Sequence, residues 1–130
     1  MIDKRTELKD VIACVKDGDT IGLGGAELER KPFAAVRELA RSGRRDLTII
    51  SRGGLEVDLL IGVGVAKKVI YPSVGVPGWG VPGNFVRART ENSLHLREIT
   101  ESMYVLGWKA AAQGIPSSPP ALPWAPISSL

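Results

Sequence analysis

The residues of this chain best suited to chemistry are glycines. In Asp19-Thr20-Ile21-Gly22-Leu23-Gly24-Gly25-Ala26-Glu27-Leu28-Glu29-Arg30-Lys31-Pro32, Thr20, Ile21 and Leu23 suit a pleated, packed strand. Gly22, Gly24 and Gly25 leave no side chain where the backbone turns, so another chemical group can come close. Pro32 then opens a helix at its first turn, where a missing N–H does no harm. Strand, glycine turn and helix in that order place free backbone N–H groups at the carboxyl end of a parallel strand, where a phosphate, a carboxylate or an oxyanion can be held. Neither nucleotide motif is present: Gly24 and Gly25 lack the third glycine of the dinucleotide fingerprint, and no Gly-Lys-Ser/Thr follows. A tight turn whose glycines serve packing alone is the other reading of the same spacing. A second β-branched run, Leu47-Thr48-Ile49-Ile50, empties into the small-residue turn Ser51-Arg52-Gly53-Gly54.

Acids, histidine and cysteine add less. Glu98 falls inside a predicted strand, whereas Glu101 falls just past its carboxyl end, the rim where parallel sheets place chemistry. A first-turn acid that stabilises the next helix is the preferred reading of Glu101. His95, the sole histidine, has no cysteine, histidine or carboxylate at a metal-ligand spacing and reads as a surface or strand residue, so no metal site is expected. Cys14, the sole cysteine, allows no intramolecular disulfide and reads as a buried structural thiol.

The elements that must position these residues follow from periodicity. Leu8, Val11, Ile12 and Val15 make one face of a first helix that Asp17-Gly18-Asp19 ends. Phe33, Val36, Leu39 and Ala40 stripe a second helix that stops at Ser42-Gly43, with Arg41, Arg44 and Arg45 at its negative end. Leu55 to Gly64 reads as a short helix with Glu56 and Asp58 near its positive end, and Val69-Ile70-Tyr71 as a third strand behind Lys67-Lys68. Pro72 to Gly83, nearly all Gly, Pro and Val around Trp79, is a loop at a strand exit. Asn84 to Glu91 is helical, Leu94 to Ile99 alternates as a strand, and Thr100 begins a longer helix through Gln113. Four strands interleaved with helices imply a right-handed α/β layer structure with a mostly parallel sheet.

Composition bounds the partners. One domain's worth of chain, 130 residues with 44% hydrophobic and 24% charged content, can bury a real core. The net charge of +3 is scattered and not gathered into a basic stripe with aromatics, which argues against nucleic acid as a partner. The start Met1-Ile2-Asp3-Lys4-Arg5 is not a signal peptide, and no apolar run is long enough to span a bilayer. A cytoplasmic protein without a membrane partner is the expectation.

Several blocks taken together resemble the α subunit of family I coenzyme A transferases, of the glutaconate CoA-transferase type. They are Asp17 to Gly25, Arg30-Lys31-Pro32, Val36-Arg37-Glu38-Leu39, Asp46-Leu47-Thr48, Val57 to Gly62, Lys67 to Ile70, Asn84 to Ala88 and Ala110 to Pro116, in that family's order and spacing. The resemblance implies a three-layer α/β/α, Rossmann-like fold and a reaction in which CoA passes from a thioester to a free carboxylate. It implies a coenzyme A thioester as substrate with no bound cofactor, and a β subunit whose glutamate is the nucleophile, forming an anhydride and then a glutamyl-CoA thioester. Gly22, Gly24, Gly25, Ser51, Gly53 and Gly54 are then the candidates for CoA or substrate binding and for oxyanion donation. Ala26-Glu27-Leu28-Glu29 stands where many relatives carry a phenylalanine and another glycine. Some relatives with a similar Arg-Lys-Pro segment are thioester hydrolases that open a ring of a steroid-derived CoA compound with an acid of the α subunit. Glu101, or failing that Glu98, is nearest that acid here. A non-catalytic binding module on the same fold is the third reading.

The resemblance runs from the start of the chain to Pro116, so residues 1–116 are expected to be the N-terminal part of an α-subunit domain and 117–130 an irregular Pro/Ser-rich tail. Relatives continue after the Gly-Ile-Pro position with Phe-Leu-Pro, and the tail's codons, read one nucleotide out of frame, can restore that pattern. A frameshifted or prematurely ended subunit, with an incomplete sheet and inactive on its own, is the expectation.

Overall fold

Along the second strand Leu47, Ile49 and Ser51 are buried while Thr48 and Ile50 are half-buried, so this segment is a strand covered fully on one face only. The computed structural model describes residues 5–115. Its elements alternate: α1 (Leu8–Ala13), β1 (Thr20–Leu23), α2 (Phe33–Arg41), β2 (Leu47–Ser51), α3 (Leu55–Gly62), β3 (Ala66–Tyr71), α4 (Gly83–Thr90), β4 (His95–Glu98) and α5 (Glu101–Ala112). The strands form one sheet in the order β1-β2-β3-β4. Every pair is parallel, with Ile21 opposite Ile49, Ile49 opposite Val69 and Val69 opposite Leu96. The α/β class with a parallel sheet is therefore the one expected from the alternation of elements.

A sheet that grows by one neighbour at a time through right-handed crossovers puts its connecting helices on one side. The core shows that side: Ile12 of α1, Val36 and Leu39 of α2, Val57 and Leu60 of α3 and Phe85 of α4 pack with Leu23, Leu47, Ile49, Val69 and Tyr71 of the strands. Tyr71 and Phe85 meet edge to face at 5.2 Å, which ties β3 to α4. Asp58 of α3 fastens the same end of α4. Its Oδ1 accepts the Phe85 N–H at 2.9 Å and its Oδ2 accepts the Asn84 side-chain amide at 2.8 Å, satisfying donors at a helix start where Pro82 offers no side-chain cap.

Among the described residues, those up to Glu98 form one compact unit and those from Ile99 another. In the second unit Thr100 caps α5, its hydroxyl accepting the Met103 N–H at 3.1 Å, and Tyr104 meets Trp108 edge to face one turn apart. Two expectations are corrected. Cys14 is exposed and not buried, because α1 ends at Ala13 and Cys14 is its C-cap, off the inward stripe, with its thiol donating to the Asp10 carbonyl. β3 starts at Ala66, since pairing of Lys68 with Thr48 carries the strand through the two lysines. The expected tail, 117–130, lies outside the described residues.

Candidate functional site

β1 and β2 end side by side, Leu23 opposite Ser51, so the turns that follow both strands lie at one end of the sheet. Beneath those turns is a buried polar cluster. Lys31, just before α2, points its ammonium at Glu56 in the first turn of α3, 2.7 Å from Oε1, and neither side chain reaches solvent. An ammonium and a carboxylate out of water persist only when paired and hydrogen-bonded on their remaining sides. Both conditions are met. Lys31 also donates to the Ser51 hydroxyl at 3.3 Å and to the Arg52 carbonyl. Glu56 also accepts the Ser51 hydroxyl at 2.8 Å and the Gly54 N–H at 3.1 Å, while the Leu23 carbonyl is 3.4 Å from the same hydroxyl. Through this cluster the end of β1, the chain leading into α2 and the turn after β2 hold one another.

The glycine turn is built on that base. Ala26 and Glu29 exchange hydrogen bonds, N–H of Ala26 to the Glu29 carbonyl at 3.1 Å and N–H of Glu29 to the Ala26 carbonyl at 2.7 Å, closing a tight loop. Gly25 is required by its own backbone, with φ of +83° and an added Cβ within 2.5 Å of the Glu29 carbonyl oxygen. Gly24 differs: an added Cβ would meet nothing within 4 Å. Gly22 lies within β1, and its exposed position opposite Ile50 belongs to the sheet face away from the helices. Among the turn and loop hydrogen bonds of the described residues, none uses the amide of Gly24 or Gly25.

Ser51, Gly53 and Gly54 sit where expected but their polar groups are engaged internally. Gly53 donates its N–H to the Ser73 carbonyl at 2.9 Å, Gly54 donates to Glu56, and Ser51 is fully buried. The two glycines are places of close approach: a Cβ on Gly54 would come within 2.7 Å of the Glu27 carbonyl, and one on Gly53 within 2.9 Å of Val74. The loop after β3 joins the same end of the sheet through this contact. Val76 and Gly80 close a turn by exchanging hydrogen bonds at 2.8 and 2.9 Å, and Trp79 stands at its tip almost wholly in solvent. A cleft of about 400 Å³ lies among these loops, lined by Glu27, Gly53 and the segment from Ser73 to Val81.

The sequence singles out two further acids. Glu98 is the exposed last residue of β4, and Glu101 is in the first turn of α5, in the second unit. His95 is exposed on β4 beside a groove of about 350 Å³ that Tyr71, Arg89 and Glu98 also line. Burial pushes the Tyr71 phenol up, the negative charge of Glu98 adds to this, and Arg89 opposes it. Among the described residues no group of three or more His, Cys, Asp or Glu could hold a metal ion, and no helix is long and apolar enough to cross a membrane. Sequence reasoning missed Lys31 and Glu56 as partners. The available signals were an acid, Glu56, between the apolar Leu55 and Val57 and a lysine directly before the helix-opening proline.

A family model described as coenzyme A transferase matches residues 5–125. The chain is 41% identical over 121 residues to the IpdA component of the cholesterol ring-cleaving hydrolase of Mycobacterium tuberculosis, across 92% of this chain and 41% of that protein. It is 36% identical over 124 residues to the A component of glutaconate CoA-transferase from Acidaminococcus fermentans, across 93% of this chain and 39% of that protein. The crystal structure of glutaconate coenzyme A-transferase from Acidaminococcus fermentans superposes with a TM-score of 0.85 at 36% identity, across 92% of this chain and 39% of that one. The chain thus spans about two-fifths of the length of the curated relatives it matches.

Proposed function

We propose, from the premise that this chain belongs to the coenzyme A transferase family, that it supplies the glycine-turn half of an acyl-CoA site in a heteromeric cytoplasmic enzyme. The reaction is transfer of CoA from a thioester to a free carboxylic acid. A β-subunit glutamate attacks the thioester carbonyl, expelling CoA as thiolate and leaving an acyl-glutamyl anhydride. The thiolate then attacks the glutamyl carbonyl, releasing the first acid and leaving a glutamyl-CoA thioester, and the second acid reverses both steps. Each attack places negative charge on a carbonyl oxygen. An amide already aimed there stabilises it without reorganisation.

The single observation that carries this reading is Gly24. It lies at the carboxyl end of β1, opens onto free space, and rests on a turn fixed from below by the buried Lys31–Glu56 pair. Gly25 keeps its φ for the turn, and Gly53 and Gly54 hold the neighbouring turn together, so Gly24 is the position where a substrate oxygen can approach.

A second reading, hydrolysis of a cyclic acyl-CoA, is favoured by the relative named as a ring-cleaving hydrolase. There Glu101, or failing that Glu98, is the acid–base group. Co-expression with the β subunit, followed by an acyl-exchange assay and a hydrolysis assay, tests both. The transferase reading expects exchange that survives Glu101→Gln. The hydrolase reading expects net hydrolysis that falls by roughly a hundredfold or more in the same variant with substrate binding kept. Neither reaction in the assembled enzyme would leave a non-catalytic binding module.

A further inference from the structure

The cleft among the three strand-end loops has an uneven chemistry. Val74, Val76, Pro77 and Val81 give it an apolar wall, Gly53 gives it a floor of bare backbone, and Glu27 is the one charged residue among its lining. Glu27 is held there by more than chance. Its φ of +51° is a left-handed conformation that a residue with a side chain adopts at a cost, and such positions persist where the surroundings fix them. Here the surroundings are the reciprocal Ala26–Glu29 hydrogen bonds and the contact of the Glu27 carbonyl with Gly54, whose missing side chain admits it. Among the described residues, none forms an ion pair with the Glu27 carboxylate. Glu27 is exposed at the cleft, so its charge reaches an occupant through a field that solvent partly screens.

We propose that this cleft receives the acyl portion of the CoA thioester, and that Glu27 selects acyl groups with an uncharged end against acyl groups that carry a second carboxylate. The proposal rests on the acyl-CoA reading above and adds the class of acyl group to it. Two effects act in the same direction. The valine and proline wall stabilises an alkyl or alicyclic group by removing it from water, and it gives a carboxylate nothing to replace the water it loses. The Glu27 carboxylate then repels a second negative charge, with an energy that falls with distance and with added salt. A site built for a dicarboxylic acyl group needs a cation or several donors aimed inward, and the lining supplies an anion instead.

The test uses the assembled two-subunit enzyme and two probes matched in carbon number, hexanoyl-CoA and adipoyl-CoA, with dissociation constants measured by calorimetry at low and high salt alongside exchange rates. Hexanoyl-CoA is expected to bind about tenfold or more tightly at low salt, with a narrower gap at high salt. Glu27→Gln should close most of the gap by improving adipoyl-CoA, with a smaller change for hexanoyl-CoA. Val81→Lys, at a side chain already 53% exposed, should move the preference toward adipoyl-CoA without touching the core. Equal binding of the two esters, or a gap that Glu27→Gln leaves unchanged, overturns the proposal. Binding with the expected preference but without exchange supports it while overturning the transferase reading. If neither ester binds, both fall.

Discussion

Replacing Lys31 by Met keeps most of the side chain's volume and removes its charge, and the structure allows the consequence to be worked through. Three hydrogen bonds disappear, to Glu56, Ser51 and the Arg52 carbonyl. Glu56 keeps the Ser51 hydroxyl and the Gly54 N–H, but its carboxylate, with no solvent exposure, loses the only cation it touches among the described residues. Breaking one partner from a buried pair costs about 3–5 kcal/mol, because the remaining charge stays out of water. Against a total stability of about 5–15 kcal/mol, that is a large share. For a unit of this size it corresponds to a fall in Tm of roughly 12 °C or more. Urea and thermal denaturation of the purified protein, followed by circular dichroism, read it directly. A double-mutant cycle with Glu56→Leu isolates the pair: the second substitution removes the stranded charge, so the double variant should be less destabilised than the sum of the singles, with a coupling of about 1–3 kcal/mol. If Lys31→Met cost less than about 1 kcal/mol, or the two losses simply added, the buried pair would not be what fastens these turns and the reasoning would fail.

Other outcomes follow from the same geometry. Gly25→Ala should destabilise the fold measurably, because its Cβ would collide with the Glu29 carbonyl at a positive φ, whereas Gly24→Val should leave the melting curve near the parental one and lower activity of the assembled enzyme on the order of a hundredfold. A parental rate in that Gly24 variant would reduce the loop to a turn. Asp58→Ala should cost on the order of 1–2 kcal/mol in denaturant, since it strands the Phe85 N–H at the start of α4, and a neutral result would show that water replaces the cap. Tyr71, an acid whose folded pKa is raised, keeps its contribution below its ordinary pKa and loses it as pH rises through the folded value. Alkaline titration should thus show a phenol that ionises late together with loss of structure, and Tyr71→Phe should remove that pH-dependent part; an unchanged alkaline transition would count against it.

How much of this was readable in advance depended on whether the deciding interaction was local. Strands and helices were legible because each carries a local signal: Leu47-Thr48-Ile49-Ile50 is a β-branched run, and Val36 and Leu39 recur at helical spacing, and both lie where those signals place them. The cap at Thr100 was legible for the same reason, since its partner is three residues away. Cys14 was misread because membership of a helical segment does not fix which way a residue faces: it sits between Ile12 and Val15, which pack on the core, and itself points to solvent. The Glu56 carboxylate could be placed at a helix start from sequence. Its actual partner, 25 residues earlier, depends on β1 and β2 ending side by side, which no local pattern encodes.

That distance also explains why a charged pair, and not an apolar one, occupies this position. Two turns leave adjacent strands here, and their backbone groups can no longer be satisfied by the sheet ladder. The Arg52 carbonyl and the Gly54 N–H both turn toward the buried pair and need partners there. A leucine and a methionine would fill the volume and leave both groups unpaired, whereas an ammonium donates to the carbonyl and a carboxylate accepts from the amide. Once each charge is committed to the backbone, placing them against each other removes the remaining penalty. The pair thus lets two irregular turns be rigid without a ladder. With the underside of the turn fixed in this way, Gly24 can remain unencumbered on the side that faces outward.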